Sequence, residues 1–429
     1  GTRSAVFTPM KDLALIVVDE EHDSSYKQQE GDLRYSARDL ALLRGQLQQV
    51  PVVLGSATPS LESLHNAAQG RFTHLLLPER AGSAEPPRLA LIDMRAHAVH
   101  KGIAAPVLQA MHRHLDAGSQ VLVFLNRRGY APTLLCQGCG WIAPCHDCDA
   151  RLTVHLRNGR LACHHCGAEE ALPRRCPRCG HDVHPLGQGT ERVEETLAAQ
   201  FPAAPVERFD RDVLRAQPAL HSAIERVHSG SARILVGTQM LTKGHHFPDV
   251  TLVVVLNADQ SLFSTDFRAA ERLAQTIVQV AGRAGRAGKP GEVLIQSLYP
   301  EHPLLVTLLE QGYAGFARGA LAERAEAHWP PFARMAVLRA SDTSPDGAGR
   351  FLEQARALLP PSSAEVLLRG PVPAAMSRRA GRHHAQLLVE SAQRAALQRY
   401  LGEWVPQLAS ISAPRSLRWA LDVDPLELF

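Results

Sequence analysis

Thr251-Leu252-Val253-Val254-Val255-Leu256 leads, through a helical pattern over 267–280, into Gln279-Val280-Ala281-Gly282-Arg283-Ala284-Gly285-Arg286. The first run is β-branched, apolar and uninterrupted, as expected of a strand buried in a parallel sheet. Gly291–Ser297 then reads as a further strand. Strand, helix, strand is the unit of a sheet covered by helices. In the octet, Arg283 and Arg286 stand three apart, so a helix would project both from one face. The small residues between them admit another surface. Arginine keeps its charge and binds phosphate oxygens in pairs through its planar fork. The plainer reading is a glycine-weakened helix end with two solvated arginines.

The same alternation extends outward. Leu13–Asp19, Val52–Leu54, Gln120–Leu125, Val206–Phe209 and Arg233–Val236 read as buried strands, with helical patterns at about 61–68, 104–117, 191–200 and 217–228. The predicted fold class is α/β, a parallel sheet with helices on both faces. Ligands of such sheets sit beyond the carboxyl ends of the strands. One of those ends carries Asp19-Glu20-Glu21-His22. Asp19 is suited to hold Mg²⁺, directly or through water, and Glu20 to orient the attacking water in ATP hydrolysis. Another end opens Gly237-Thr238-Gln239-Met240-Leu241-Thr242-Lys243-Gly244. Its backbone N–H groups and cation can face phosphate. Gly55-Ser56-Ala57-Thr58 has the small hydroxyl residues of a hinge that relays nucleotide state. The polar stretch 22–39 mixes Tyr26, Lys27, Arg34 and Tyr35. That mixture suits stacking and phosphate contact with single-stranded nucleic acid, or a solvated loop with packed tyrosines. Residues 69–102 are expected to be an irregular connector.

All eight cysteines lie between 136 and 179 as four Cys-x-x-Cys pairs: Cys136/Cys139, Cys145/Cys148, Cys163/Cys166 and Cys176/Cys179. Two pairs complete one tetrahedral Cys₄ zinc site, so eight thiols imply two zincs. The inner pairs are fourteen residues apart, enough for a zinc-ribbon hairpin. Nesting is therefore expected, with Cys145, Cys148, Cys163 and Cys166 on one metal and Cys136, Cys139, Cys176 and Cys179 on the other. Sequential pairing is the alternative. His146, His164 and His165 are expected to be surface histidines.

The last part reads as a long helical stretch, about 303–327, and then β-α-β-β-α-β, the split-βαβ pattern. Its central segment, expected to be a loop, carries Arg369, Arg378, Arg379, Arg382, His383 and His384. A net charge of +3 confines any nucleic-acid surface to a local patch. No apolar run approaches the roughly 20 residues of a membrane span, and no signal peptide is visible. Clustered cysteines without a secretory signal favour metal over disulfides and a cytoplasmic setting. The chain opens Gly1-Thr2-Arg3-Ser4 without Met, and a fragment is the expectation.

Together these segments resemble superfamily-two helicases. The cysteine window, with Asp19–Gln28, Phe124-Leu125-Asn126-Arg127-Arg128-Gly129, Gly237–Val250, Phe263–Arg268, Gln279–Arg286 and Leu421-Asp422-Val423-Asp424-Pro425, narrows the resemblance to the bacterial PriA (primosomal protein N′) family. It covers essentially the whole chain, in order. It implies an ATP-dependent 3′→5′ DNA helicase that reloads the replisome at abandoned or stalled forks. The implied partners are forked or single-stranded DNA, single-strand-binding protein, primosome components and the replicative helicase loader, with no membrane, in the bacterial cytoplasm at the nucleoid. Carried over, Asp19 and Glu20 serve Mg²⁺ and water. Arg283 and Arg286 act as arginine fingers beside Gln279, and Thr238, Lys243 and Gly244 couple nucleotide to DNA, with Thr58 at the hinge. Tyr26, Lys27, Arg34 and Tyr35 fall in the aromatic-rich DNA-sensing loop. The implied cofactors are two Zn²⁺, with ATP and Mg²⁺ for the parent protein.

The domains expected on this basis are the remainder of lobe one (1–85), a linker and the start of lobe two (86–135), and the double zinc insertion (136–183). The rest of lobe two (184–300) and a helical connector with the split-βαβ domain (301–429) complete the chain. One motif departs from the pattern. The phosphate loop, Gly-x-x-x-x-Gly-Lys-Ser/Thr, has no counterpart, because the one Gly-Lys pair, Gly288-Lys289, precedes Pro290. The chain alone is therefore expected to bind ATP poorly and not to hydrolyse it. The competing readings are a zinc-dependent DNA-binding or scaffold module without catalysis, and a related restriction or repair translocase, which the zinc insertion argues against.

Overall fold

The computed structural model describes residues 2–31, 33–77, 86–126, 133–136, 138–155, 159–163, 166–186, 190–210, 217–242, 247–264, 266–285, 289–358, 360 and 364–428. Two compact units emerge: Gly1–Phe72 with Thr133–Leu186 and Leu321–Phe429, and Thr73–Pro132 with Gly187–Ala320.

The second unit is built on a six-stranded sheet. In spatial order its strands are Val206–Phe209, Ile234–Gly237, Gln120–Leu125, Val250–Leu256, Glu292–Ser297 and Arg88–Asp93. Every neighbouring pair is parallel. Ile234–Gly237, Gln120–Leu125 and Val250–Leu256 are buried at every residue, which is why their sequences lack polar alternation. Val121, Val123 and Leu125 pack with Val107, Met111 and Leu197. Leu122 and Phe124 belong to the opposite layer, with Leu273, Ile277 and Leu305. Each such side chain, fully buried, contributes about 1.5–3 kcal/mol.

The edge strand Arg88–Asp93 corrects the reading of 69–102 as irregular. It pairs along its whole length with Glu292–Ser297, and Pro86-Pro87 stand before it, outside the ladder, where missing N–H groups cost no sheet bond. The helix Pro303–Glu326 is broken at Gly312 (φ 65°, ψ −168°).

In the first unit, Ile16–Asp19 pairs in parallel with Val52–Gly55, with the helices Ala37–Gln48 and Leu61–Ala68 following these strands. Val18 is buried, whereas its neighbour Val17 and the paired Val53 are 62% and 47% exposed. Within these 429 residues the strand thus has one covered face. The cysteine window forms a five-stranded sheet in the order Glu169–Ala171, Arg160–Ala162, Thr153–His155, Thr133–Cys136, Val183–Leu186.

The last domain has the order Leu367–Arg379, Arg382–Ser391, Arg334–Asp342, Arg418–Val423, all antiparallel. The helices Gly347–Ala357 and Arg394–Leu408 contribute Phe351, Leu352, Tyr400 and Trp404 to its core. This is the split-βαβ arrangement expected. The supposed basic loop is instead a long hairpin whose two-residue turn is Ala380-Gly381 (φ 50° and 68°). Among the described residues, no helix is long and apolar enough to cross a membrane.

Candidate motor motifs and metal centre

The four residues at the end of Ile16–Asp19 divide by direction. Asp19 and Glu20 are exposed, and Asp19 Oδ1 accepts the Glu20 N–H at 3.0 Å. Glu20 has φ 49°, a left-handed turn that ends the strand. Glu21 faces inward, 2% exposed. Its carboxylate accepts the Ser60 N–H (2.6 Å), the Ser60 hydroxyl (3.0 Å), the Ser63 hydroxyl (2.9 Å) and the Arg38 guanidinium (3.1 Å). Burial disfavours the charge on Arg38, but Asp39, Glu21 and Glu62 outweigh it and raise its pKa. His22 Nδ1 lies 2.7 Å from Ser56 Oγ, which also accepts the Thr58 N–H at 2.9 Å. Thr58 is fully buried. The acidic strand end and the Gly55–Thr58 turn are therefore one hydrogen-bonded body. Sequence reasoning missed Glu21, whose spacing looks like that of its exposed neighbours.

In the aromatic-rich loop, Tyr26 donates to the Asp19 carbonyl at 2.6 Å. Burial, then Asp19, Asp23 and Glu20, raise its pKa. Tyr35 meets the Phe7 ring edge-on, centroids 4.9 Å apart, and Arg34 is half-buried. Lys27 requires a correction. Expected as a DNA-facing cation, it is 7% exposed, ion-paired to Asp422 at 3.1 Å, and donates to the Val423 carbonyl. An ammonium removed from water needs such partners.

In the parallel-sheet unit, Gly237 ends its strand where a Cβ would lie 2.4 Å from the Phe209 carbonyl oxygen. Thr238 begins the following turn, its carbonyl accepting the Leu241 N–H at 2.9 Å. Lys243 and Gly244 lie outside the described residues, as does Arg286. The octet is not one helix. Ala269–Ala281 ends before Gly282, so same-face emergence of Arg283 and Arg286 does not follow. Gln279 and Arg283 are half-buried. Packing beyond the helix positions this segment. Ala284 is fully buried. Gly285, with φ 71°, donates its N–H to the Val250 carbonyl at 3.1 Å. A Cβ there would stand 2.6 Å from Gly291 N. A nearby cleft gathers Phe124, Asn126, Gln239, Ser264, Asp266 and Arg272. Asn126 donates to Ser261 Oγ at 2.9 Å, and Arg272 to Asp266 at 2.6 Å.

The cysteines assemble as two nested sets, Cys136, Cys139, Cys176, Cys179 and Cys145, Cys148, Cys163, Cys166, with the sulfurs of each set within 4.8 Å of one another. All eight are free thiols. Separations of 3.4 Å (Cys136–Cys179), 3.7 Å (Cys139–Cys176) and 3.6 Å (Cys145–Cys166) are far too long for disulfides. They match the roughly 3.8 Å edge of a tetrahedron with zinc–sulfur bonds of about 2.3 Å. The donor sets fit zinc, and His146 is instead at the surface with Glu170, 3.2 Å away. His164 and His165 lie outside the described residues.

A parallel α/β sheet, a double Cys₄ insertion with donor sets suited to zinc and a split-βαβ domain together define the class to which the chain belongs. Family models match in that order: a helicase conserved C-terminal domain over 180–288, the PriA DNA helicase Cys-rich region over 145–170, and the primosomal protein N C-terminal domain over 325–426. The chain belongs to the PriA replication-restart family. It is 47% identical over 430 residues to the replication restart protein PriA of Haemophilus influenzae, covering 100% of this chain and 58% of that protein. To PriA of Rickettsia conorii it is 37% identical over 434 residues, covering 100% and 66%. The chain thus spans less than two thirds of the length of these relatives. Among solved structures, RecG bound to a three-way DNA junction is similar at 15% identity and TM-score 0.38, over 75% of this chain and 31% of that one.

Proposed function

We propose that this chain works as part of an ATP-dependent 3′→5′ DNA helicase acting at stalled or abandoned replication forks. The observation that carries the reading is a 47% identity to a replication restart protein that extends over the whole chain. Bound MgATP would supply the phosphoryl chemistry. The chain's own contribution is positional. Asp19 and Glu20 stand exposed at a strand end, as ligand and water-orienting groups require. Glu21 and His22 tie them to the Ser56–Ser63 segment, so a shift at the acids reaches the Thr58 turn. Gln279, Arg283 and Arg286 answer the γ-phosphate. Thr238, Lys243 and Gly244 link it to the DNA backbone, with Tyr26, Arg34 and Tyr35 sensing bases. Each of the two cysteine sets would hold one zinc. Single-strand-binding protein, primosome components and the helicase loader are the expected partners, in the bacterial cytoplasm.

No phosphate loop occurs in these 429 residues, so turnover is expected only where the chain is continuous with one. The test is fork-stimulated ATP hydrolysis by the full-length parent and its Arg283→Ala variant. Loss of hydrolysis with retained fork binding supports the reading, and unchanged turnover sinks the finger role. Hydrolysis by the present chain alone would overturn the missing-loop argument.

A further inference from the structure

Three of the four cysteine turns close in the same way. The residue four after the first cysteine is Gly140, Gly167 or Gly180, with φ of 72°, 78° and 73°. Each returns its N–H to the carbonyl of Cys136, Cys163 or Cys176 at 2.8–2.9 Å. The fourth turn departs. The corresponding residue after Cys145 is Asp149, whose N–H donates to the Arg378 carbonyl at 2.8 Å. What replaces the glycine closure is the tip of the hairpin Leu367–Ser391. Gly381 donates its N–H to the Asp147 carbonyl at 2.9 Å. The Asp149 carboxylate accepts the Ser377 hydroxyl (2.5 Å) and the Arg378 N–H (2.6 Å). The Ala380 N–H points at Cys148 Sγ, 3.2 Å away. Met376 adds an apolar contact to the buried cluster around Cys145, Cys148 and Cys163.

We propose that the tip of this hairpin is a built part of the inner metal site, with Ala380 N–H stabilising the Cys148 thiolate and the tip standing in for the missing glycine turn. A thiolate bound to zinc keeps partial negative charge, and an N–H aimed at it is the kind of outer contact that tunes metal affinity. Metal binding and hairpin docking then share one coupling free energy, so each favours the other. The structure also explains why a turn residue sits at φ 50° without being glycine. Two non-bonded partners, Asp147 and Cys148, hold the Ala380-Gly381 backbone in that conformation.

The inference rests on the zinc reading of the cysteine sets, and the experiment separates the two. Zinc in the purified chain is counted, then released to a chromophoric chelator, for wild type, Asp149→Ala, Ser377→Ala, Ala380→Pro and Ala380→Gly. Two zincs are expected, one of which leaves about 10-fold faster in Asp149→Ala and Ala380→Pro. Ala380→Gly, which keeps the N–H, should release as wild type. Hydrogen exchange supplies a second readout. The Ala380 and Gly381 amides should exchange slowly with zinc and fast without it, while Met335–Ala340 stays protected in both. No zinc at all overturns the metal reading and the inference with it. Two zincs released at unaltered rates in every variant, equal acceleration by Ala380→Gly and Ala380→Pro, or zinc-independent exchange at the tip overturns the coupling alone.

Discussion

Glu21 accepts both the backbone N–H and the hydroxyl of Ser60, at 2.6 and 3.0 Å. One buried carboxylate thereby holds Ser60, the N-cap of the helix that starts at Leu61, and anchors the acidic strand end. Glu21→Ala would leave the Ser60 N–H and the Arg38 guanidinium without their shared acceptor. A loss of about 3 kcal/mol is expected in denaturant unfolding, with a smaller loss for Glu21→Gln. A change below about 0.5 kcal/mol would show that the network is dispensable.

Lys27 and Asp422 form a buried pair at 3.1 Å, and Asp422 also faces Arg339 at 3.1 Å. Lys27→Ala should cost about 2–3 kcal/mol of stability. Because this ammonium is enclosed, the salt dependence of DNA affinity should keep its slope. A slope reduced by about one unit would instead mark Lys27 as a phosphate contact.

Gly285 sits at φ 71°, with Gly291 N 2.6 Å from where its Cβ would be. Gly285→Ala should therefore move the Arg283 segment. In the full-length protein ATP turnover should fall at least 10-fold, and Arg283→Ala about 10³-fold. Arg283→Lys should fail to restore it, since a point charge cannot make a forked contact. Wild-type turnover in Gly285→Ala would show that the close packing does not position the arginine.

His384 titrates below the ordinary histidine range because burial disfavours its charge, with Arg379 and Arg382 adding to the effect against an opposing backbone hydrogen bond. The folded state thus prefers the neutral ring. Its contribution is fully present above a pH of about 6.5 and is lost as pH falls below it, because the unfolded chain takes up the proton first. Unfolding free energies measured from pH 7.5 to 5 should fall less steeply for His384→Gln than for wild type. Identical slopes would remove His384 as a source of acid sensitivity.

The cysteine spacing carried both metal sets and their nesting, because Cys-x-x-Cys turns are local and the inner separation suits a hairpin. The central strands were equally plain, since burial on both faces leaves an unbroken apolar run. The hairpin was misread as a basic loop. Gly370, Pro371 and Pro373 interrupt its alternation, and register shifts between Arg369/Val372 and Pro373/Arg378 absorb them. Lys27 was misread for another reason. A cation's exposure depends on partners far away in the chain, here Asp422, which no local pattern announces. The helical reading of the octet ran too far because the helix stops at Ala281, and Gly285 supplies a left-handed turn that periodicity does not register.

The cysteine window begins and ends on paired strands, with Thr133 opposite Leu186. Its two ends thus stand side by side. A segment whose ends are already paired closes its own loop, so lengthening its interior adds little closure entropy. The cysteine segment is therefore self-closed, and loops between its inner strands can change in length without parting the Thr133 and Leu186 ends that bound it.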